Sequence, residues 1–201
     1  MKSTLQPYEL TLESSATSNF IQVHRDKSGQ DVQYLVSFTR EANGEVKKSA
    51  NFVSNSAVGR FLLEARYFKG SSTTPDSKDL FQYQGITPDK FAYEAKSLRF
   101  VIIHSTTRSP YKSASETTYE FLGASSVDVG PCRFATLKAK TSALSVSQDT
   151  KIPVANVRTI TDYSPELRLH LRRNTQVEQE GGITWFTETA TAIKTDFTPI
   201  Q

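Results

Sequence analysis

The sequence predicts an all-β fold, mainly antiparallel, arranged as a single curved sheet, an open barrel or a sandwich with meander connections. Three observations lead there. Short runs rich in Val, Ile, Phe, Tyr and Thr recur through the 201 residues. Many of these runs alternate apolar with polar side chains, as a strand with one buried face does. Clusters of Gly, Asn, Asp, Ser and Pro separate them, and those residues favour turns.

Taken in order, residues 8–12 (Tyr-Glu-Leu-Thr-Leu) alternate cleanly and residues 20–24 nearly do, so both read as strands. After Asp26-Lys27-Ser28-Gly29, residues 32–53 read as a hairpin turning at Asn43-Gly44, because both turn residues tolerate positive φ. Residues 59–69 mix helix formers with aromatics, and the aromatics and flanking glycines tip the reading towards a strand. The Ser/Thr/Pro stretch near 71–79 reads as a polar loop inside one domain spanning 1–201, since a β-sandwich or barrel of this length commonly forms one unit. Thr87-Pro88-Asp89-Lys90 before Phe91-Ala92-Tyr93-Glu94 suits a helical turn. Residues 98–105 then form a strand and 106–115, with Pro110, a loop. Residues 117–122, 134–140, 158–163, 167–173 and 184–193 complete the strands at meander-like spacing.

Composition narrows the function classes. Twelve Phe and eight Tyr in a 37% hydrophobic chain supply a core. Lys and Arg total 24 against 21 Asp and Glu, and the net +3 is spread along the chain, so no nucleic-acid footprint stands out. One cysteine allows neither an internal disulfide nor a cysteine zinc site. No run approaches the length of a transmembrane segment, and Met1 to Pro7 has no apolar signal-peptide core, which fits a cytoplasmic chain or a mature exported one.

Chemistry-bearing constellations are sparse. His24, His104 and His170 each fall in a separate predicted strand without the close spacing of a helical metal motif, so no metal ligand is nominated. There is no Gly-x-Ser-x-Gly elbow, no Gly-rich phosphate loop and no calcium loop. The expectation is a chain without catalytic residues or a cofactor, though a site gathered from distant strands would escape a sequence reading. Cys132, two residues before Phe134 at the start of a strand, is expected to be buried and inert.

Residues 167–173 make the sharpest surface claim. Strand alternation puts Leu167, Leu169 and Leu171 on one face and Arg168, His170 and Arg172 on the other. The second face is expected to be a cationic stripe, either solvated or docking on an acidic partner or an anionic lipid surface. Its arginines are expected to add little to stability.

The last third also resembles a group of bacterial envelope proteins of unknown function. Thr118-Tyr119-Glu120-Phe121-Leu122-Gly123, then Val127-Asp128-Val129-Gly130-Pro131-Cys132-Arg133-Phe134, then Tyr163-Ser164-Pro165-Glu166-Leu167 are similar to that group's Tyr-x-x-Gly, Val-x-Val-Pro-Ala-Gly-x-Phe and Tyr-x-Pro-x-Leu elements. Gly130-Pro131-Cys132 stands where Pro-Ala-Gly is usual, and Arg168 stands where glycine commonly follows the Leu. The resemblance implies an exported, periplasmic or envelope β-rich domain with no activity to transfer. The expected function is a non-enzymatic envelope binding module for an apolar ligand or a protein partner. The alternatives are an assembly component docking through sheet edges or the cationic face, and an enzyme with an unrecognised site.

Overall fold

A computed structural model describes residues 8–14, 18–25, 32–40, 46–55, 60–69, 72–87, 96–147 and 153–194. Twelve strands make up a single antiparallel sheet: β1 (Tyr8–Ser14), β2 (Ser18–Arg25), β3 (Val32–Arg40), β4 (Val46–Asn55), β5 (Arg60–Phe68), β6 (Ser77–Gln84), β7 (Ser97–Thr106), β8 (Ser109–Val129), β9 (Cys132–Ser147), β10 (Pro153–Ser164), β11 (Leu169–Gln179) and β12 (Gly182–Lys194). Each strand pairs with its neighbours in sequence, and β1 also pairs with β12, which curls the meander into a barrel. Among the described residues the β1–β12 register runs from Glu9↔Lys194 to Ser14↔Glu188.

The predicted all-β meander is what the chain forms, with two corrections. β6 lies where a loop was expected to run on to residue 79: residues 72–76 turn, and pairing starts at Ser77. Residues 106–115 are not a loop, because β7 and β8 meet at a tight turn of residues 107–108, with Thr106 paired to Ser109. Pro110 fits because it is the second residue of β8, where an absent N–H is tolerated. β3 and β4 pair as predicted, with Arg40 opposite Val46. The Asn43-Gly44 turn and the expected helical turn at 91–94 lie outside the described residues.

β8 and β9 are the longest strands, at 21 and 16 residues, and their hairpin bends at a bulge where Leu122 is the extra residue between Phe121↔Ala139 and Gly123↔Lys138. Gly123 takes φ 124°, which glycine adopts freely and side chains resist. Beyond the bend, the hairpin tip reaches β12: a Cβ on Gly130 would lie 3.8 Å from the Thr191 carbonyl oxygen. Val127 and Val129 thereby join Leu167, Leu169, Leu171, Ala190 and Val53 in one cluster, with Leu62 and Phe134 against it. Val53 of β4 pairs with none of the strands that supply the other members, so this contact forms across the interior and not along the sheet. Each fully buried Leu or Val there is stabilised by about 1.5–3 kcal/mol.

A second cluster is aromatic: Phe61, Phe100, Tyr119 and Ala139, flanked by Tyr83, Leu98, Ile102 and Phe121. It compensates for a short seam, because β5 and β6 pair only from Glu64↔Leu80 to Tyr67↔Ser77. Past that point the Tyr83 hydroxyl donates to the Leu62 carbonyl at 2.8 Å, and Phe61 meets the Tyr83 ring edge-on at 5.4 Å. Side chains thus hold together what the backbone ladder leaves apart.

No helix among the described residues is long and apolar enough to cross a membrane. A strand facing hydrocarbon presents an apolar band, whereas β8 exposes Lys112, Glu116, Glu120 and Asp128 along its length. That face meets water.

Candidate binding groove

The register of β6 to β10 builds a groove. Gln84, Val101, Glu116, Leu144 and Asn156 are successive cross-strand partners, and Arg99, Thr118 and Ser142 form the adjacent row on the same face. Between the rows, Phe100 and Thr117 turn to the opposite face, where both are buried. The resulting pocket holds about 610 Å³ and is lined by these residues together with Gly85 and Ala143. Val101 and Leu144 are the apolar side chains of its outward-facing rows, and Leu144 is 43% exposed. Arg99 and Glu116 bring opposite charges, and Gln84 and Asn156 bring amides. Such a surface accepts an apolar body and a polar end.

A second set of side chains gathers where β5 to β8 adjoin. The Tyr67 hydroxyl donates to Asp79 Oδ2 at 3.1 Å, and His104 Nε2 lies 3.5 Å from the same oxygen. Ser113 Oγ lies 3.5 Å from His104 Nδ1. The order hydroxyl, imidazole, carboxylate is that of a hydrolytic triad. The spacing is not: both contacts exceed hydrogen-bond length for groups that must pass a proton, and His104 Nε2 makes no formed hydrogen bond. Phe81 stacks on the imidazole at 4.9 Å, and Arg108 lies over the Tyr67 ring while its Nε donates to Ser77 Oγ at 2.6 Å. Burial, and next the Asp79 charge, raise the Tyr67 pKa. We read this set as a polar cross-strand network that ties β5 to β8.

Arg168, His170 and Arg172 are all half-buried and alternate with the buried Leu167, Leu169 and Leu171, but they sit in different local settings. Arg168 is in the turn of residues 165–168, outside β11, at φ 55°. His170 pairs with Tyr163 and meets its ring edge-on at 5.5 Å. Arg172 Nε lies 3.7 Å from Asp162 Oδ2, and Lys138 Nζ lies 3.9 Å from Oδ1. The ladder carries a bulge here: Asp162 pairs with Arg172 and Tyr163 with His170, so Leu171 is an extra residue. Leu167, Leu169 and Leu171 are all buried, as the sequence predicts. The Tyr163-Ser164-Pro165-Glu166-Leu167 element leads into the turn of this hairpin, with Tyr163, Ser164 and Leu167 buried, Pro165 and Glu166 exposed, and the Leu167 N–H donating to Ser164 Oγ at 3.3 Å.

Cys132 is exposed, which corrects the expected buried thiol. It follows the turn of residues 130–131 directly and pairs with the buried Val129, too near the hairpin tip to be covered. His104 and His170 lie on β7 and β11, and the side chain of His24 lies outside the described residues. Among the described residues no three His, Cys, Asp or Glu side chains converge as metal ligands. Comparison with known proteins finds no matching family model, no matching curated protein and no matching solved structure.

Proposed function

We propose that the chain is a non-catalytic binding module of an exported, envelope-facing compartment, and that the groove across β6 to β10 holds an apolar ligand with a polar end. The observation that carries this reading is the groove: about 610 Å³, within the 300–1,000 Å³ typical of small-molecule sites. Val101 and Leu144 flank Glu116 in one row, with Gln84 and Asn156 at its ends and Arg99 in the adjacent row. The compartment rests on the resemblance across residues 117–197 to envelope proteins.

An anionic naphthalene sulfonate dye, apolar with one charged end, is a direct probe. Saturable fluorescence enhancement that Leu144→Arg abolishes is expected, and the exposure of Leu144 lets that variant fold. Enhancement that does not saturate, or that survives the substitution, would sink the groove reading. Fractionation of the native host tests the compartment, and recovery only with cytosolic markers would count against export.

A further inference from the structure

We infer that the groove is the head of a longer trough, and that the trough binds an uncharged, linear oligosaccharide of equatorially linked pyranoses lying across the strands. The inference shares residues with the groove but needs no apolar ligand there. It begins from register. The wall formed by Arg99, Thr118 and Ser142 continues without a bulge to Arg158, Gln176 and Trp185, each the cross-strand partner of the one before, from β7 to β12. The facing wall continues from Asn156 to Glu178 and Ile183. Both walls stand on one face of the sheet, and none of these residues is buried.

The chemistry of the walls selects the occupant. Among the described residues, Arg99, Thr118, Ser142, Arg158 and Gln176 form no side-chain hydrogen bond or ion pair, so their donors and acceptors are open to a ligand. Arg99 and Arg158 on one wall are matched by Glu116 and Glu178 on the other, and the trough carries no net charge. A polyanion would be repelled by those two carboxylates. A hydroxyl-rich ligand uses both signs, because each hydroxyl both donates and accepts.

Spacing makes the same choice. Neighbouring side chains along each wall are ~4.8 Å apart, close to the advance of one sugar in an extended pyranose chain, whereas an extended peptide advances only ~3.3 Å per residue. The five steps from β7 to β12 span about 24 Å, room for roughly five sugars. At the far end Trp185 is 69% exposed and Ile183 54% exposed. The bare indole is a flat platform for the C–H face of a sugar ring, whose hydroxyls then point at the polar walls.

Trp185 is the only tryptophan in the chain and reports the contact directly. Titration with cellohexaose and with chitohexaose, both uncharged and extended, should change Trp185 emission saturably with at least one of them. Calorimetry should find that hexamer bound at least about tenfold more tightly than the dimer of the same sugar, which reaches fewer steps of the trough. Trp185→Ala should weaken hexamer binding by about tenfold, and Arg158→Ala by several-fold. Both sites are exposed, and circular dichroism checks that each variant keeps its sheet. Trp185→Ala should leave naphthalene sulfonate binding in place, and sugar binding without dye binding would remove the groove reading alone. No saturable binding of either hexamer, equal affinity for dimer and hexamer, an affinity that both variants leave unchanged, or a preference for polygalacturonate that salt abolishes would each overturn the inference.

Discussion

Asp162 is buried to 3% side-chain exposure on β10 and lies between two cations, with Arg172 on β11 at 3.7 Å and Lys138 on β9 at 3.9 Å. Arg172 is therefore no bystander on a solvated face. Arg172→Gln leaves the carboxylate buried with one distant cation. The variant should lose about 1–2 kcal/mol, less than the 3–5 of a fully buried pair because Arg172 itself is 40% exposed. Urea unfolding measures it, and Asp162→Asn in the Arg172→Gln background should recover part of the loss. A neutral Arg172→Gln would show that Lys138 suffices.

Arg168 adopts φ 55°, a left-handed conformation costing a side-chain-bearing residue roughly 1 kcal/mol. Glycine adopts this backbone freely. Arg168→Gly should raise stability by up to about 1 kcal/mol, part of the relief being offset by unfolded-state entropy. A fall in melting temperature would mean that the arginine's own contacts outweigh the strain.

Cys132 is exposed at the base of the β8–β9 turn. An aromatic disulfide reagent should label one thiol per native chain at a rate close to that of the unfolded protein. Protection by a large factor would return Cys132 to the interior.

Tyr67 and Tyr83 both have phenol pKa values raised above the ordinary 10.0, chiefly by burial. A folded value above the unfolded one means that the neutral phenol contributes its full stability below pH 10 and loses it as pH climbs through the raised folded range. Unfolding free energy should therefore fall above pH 10, and phenolate absorbance should appear in a late step coinciding with loss of the sheet. Tyr83→Phe leaves the Leu62 carbonyl without its 2.8 Å donor and should cost about 1–3 kcal/mol already at neutral pH. Titration of every tyrosine at the free-phenol value would contradict this placement.

Most of the fold is legible in the sequence because apolar alternation and turn residues coincide at most hairpins. β6 is not, and its residues show why. Asp79, Phe81 and Tyr83 share the more covered face while Leu80 sits on the other at 45% exposure, so polarity does not track burial. Asp79 is drawn in by Tyr67 and His104, partners twelve and twenty-five positions away that no local pattern shows. The groove was equally hidden, since its two rows come from five strands whose register a single chain does not display. The β10–β11 bulge at Leu171 shifts the ladder register, which a two-residue period in one chain does not display.

The β1–β12 seam has a consequence for how the molecule comes into being. Every other pairing joins strands adjacent in the chain and can zip locally, but the seam joins Glu9 to Lys194 and must close a loop of nearly the whole sequence. Contacts of such separation form late. During synthesis β1 therefore waits with an open edge until β12 emerges, and in that interval the nascent chain is most exposed to pairing with the wrong strand.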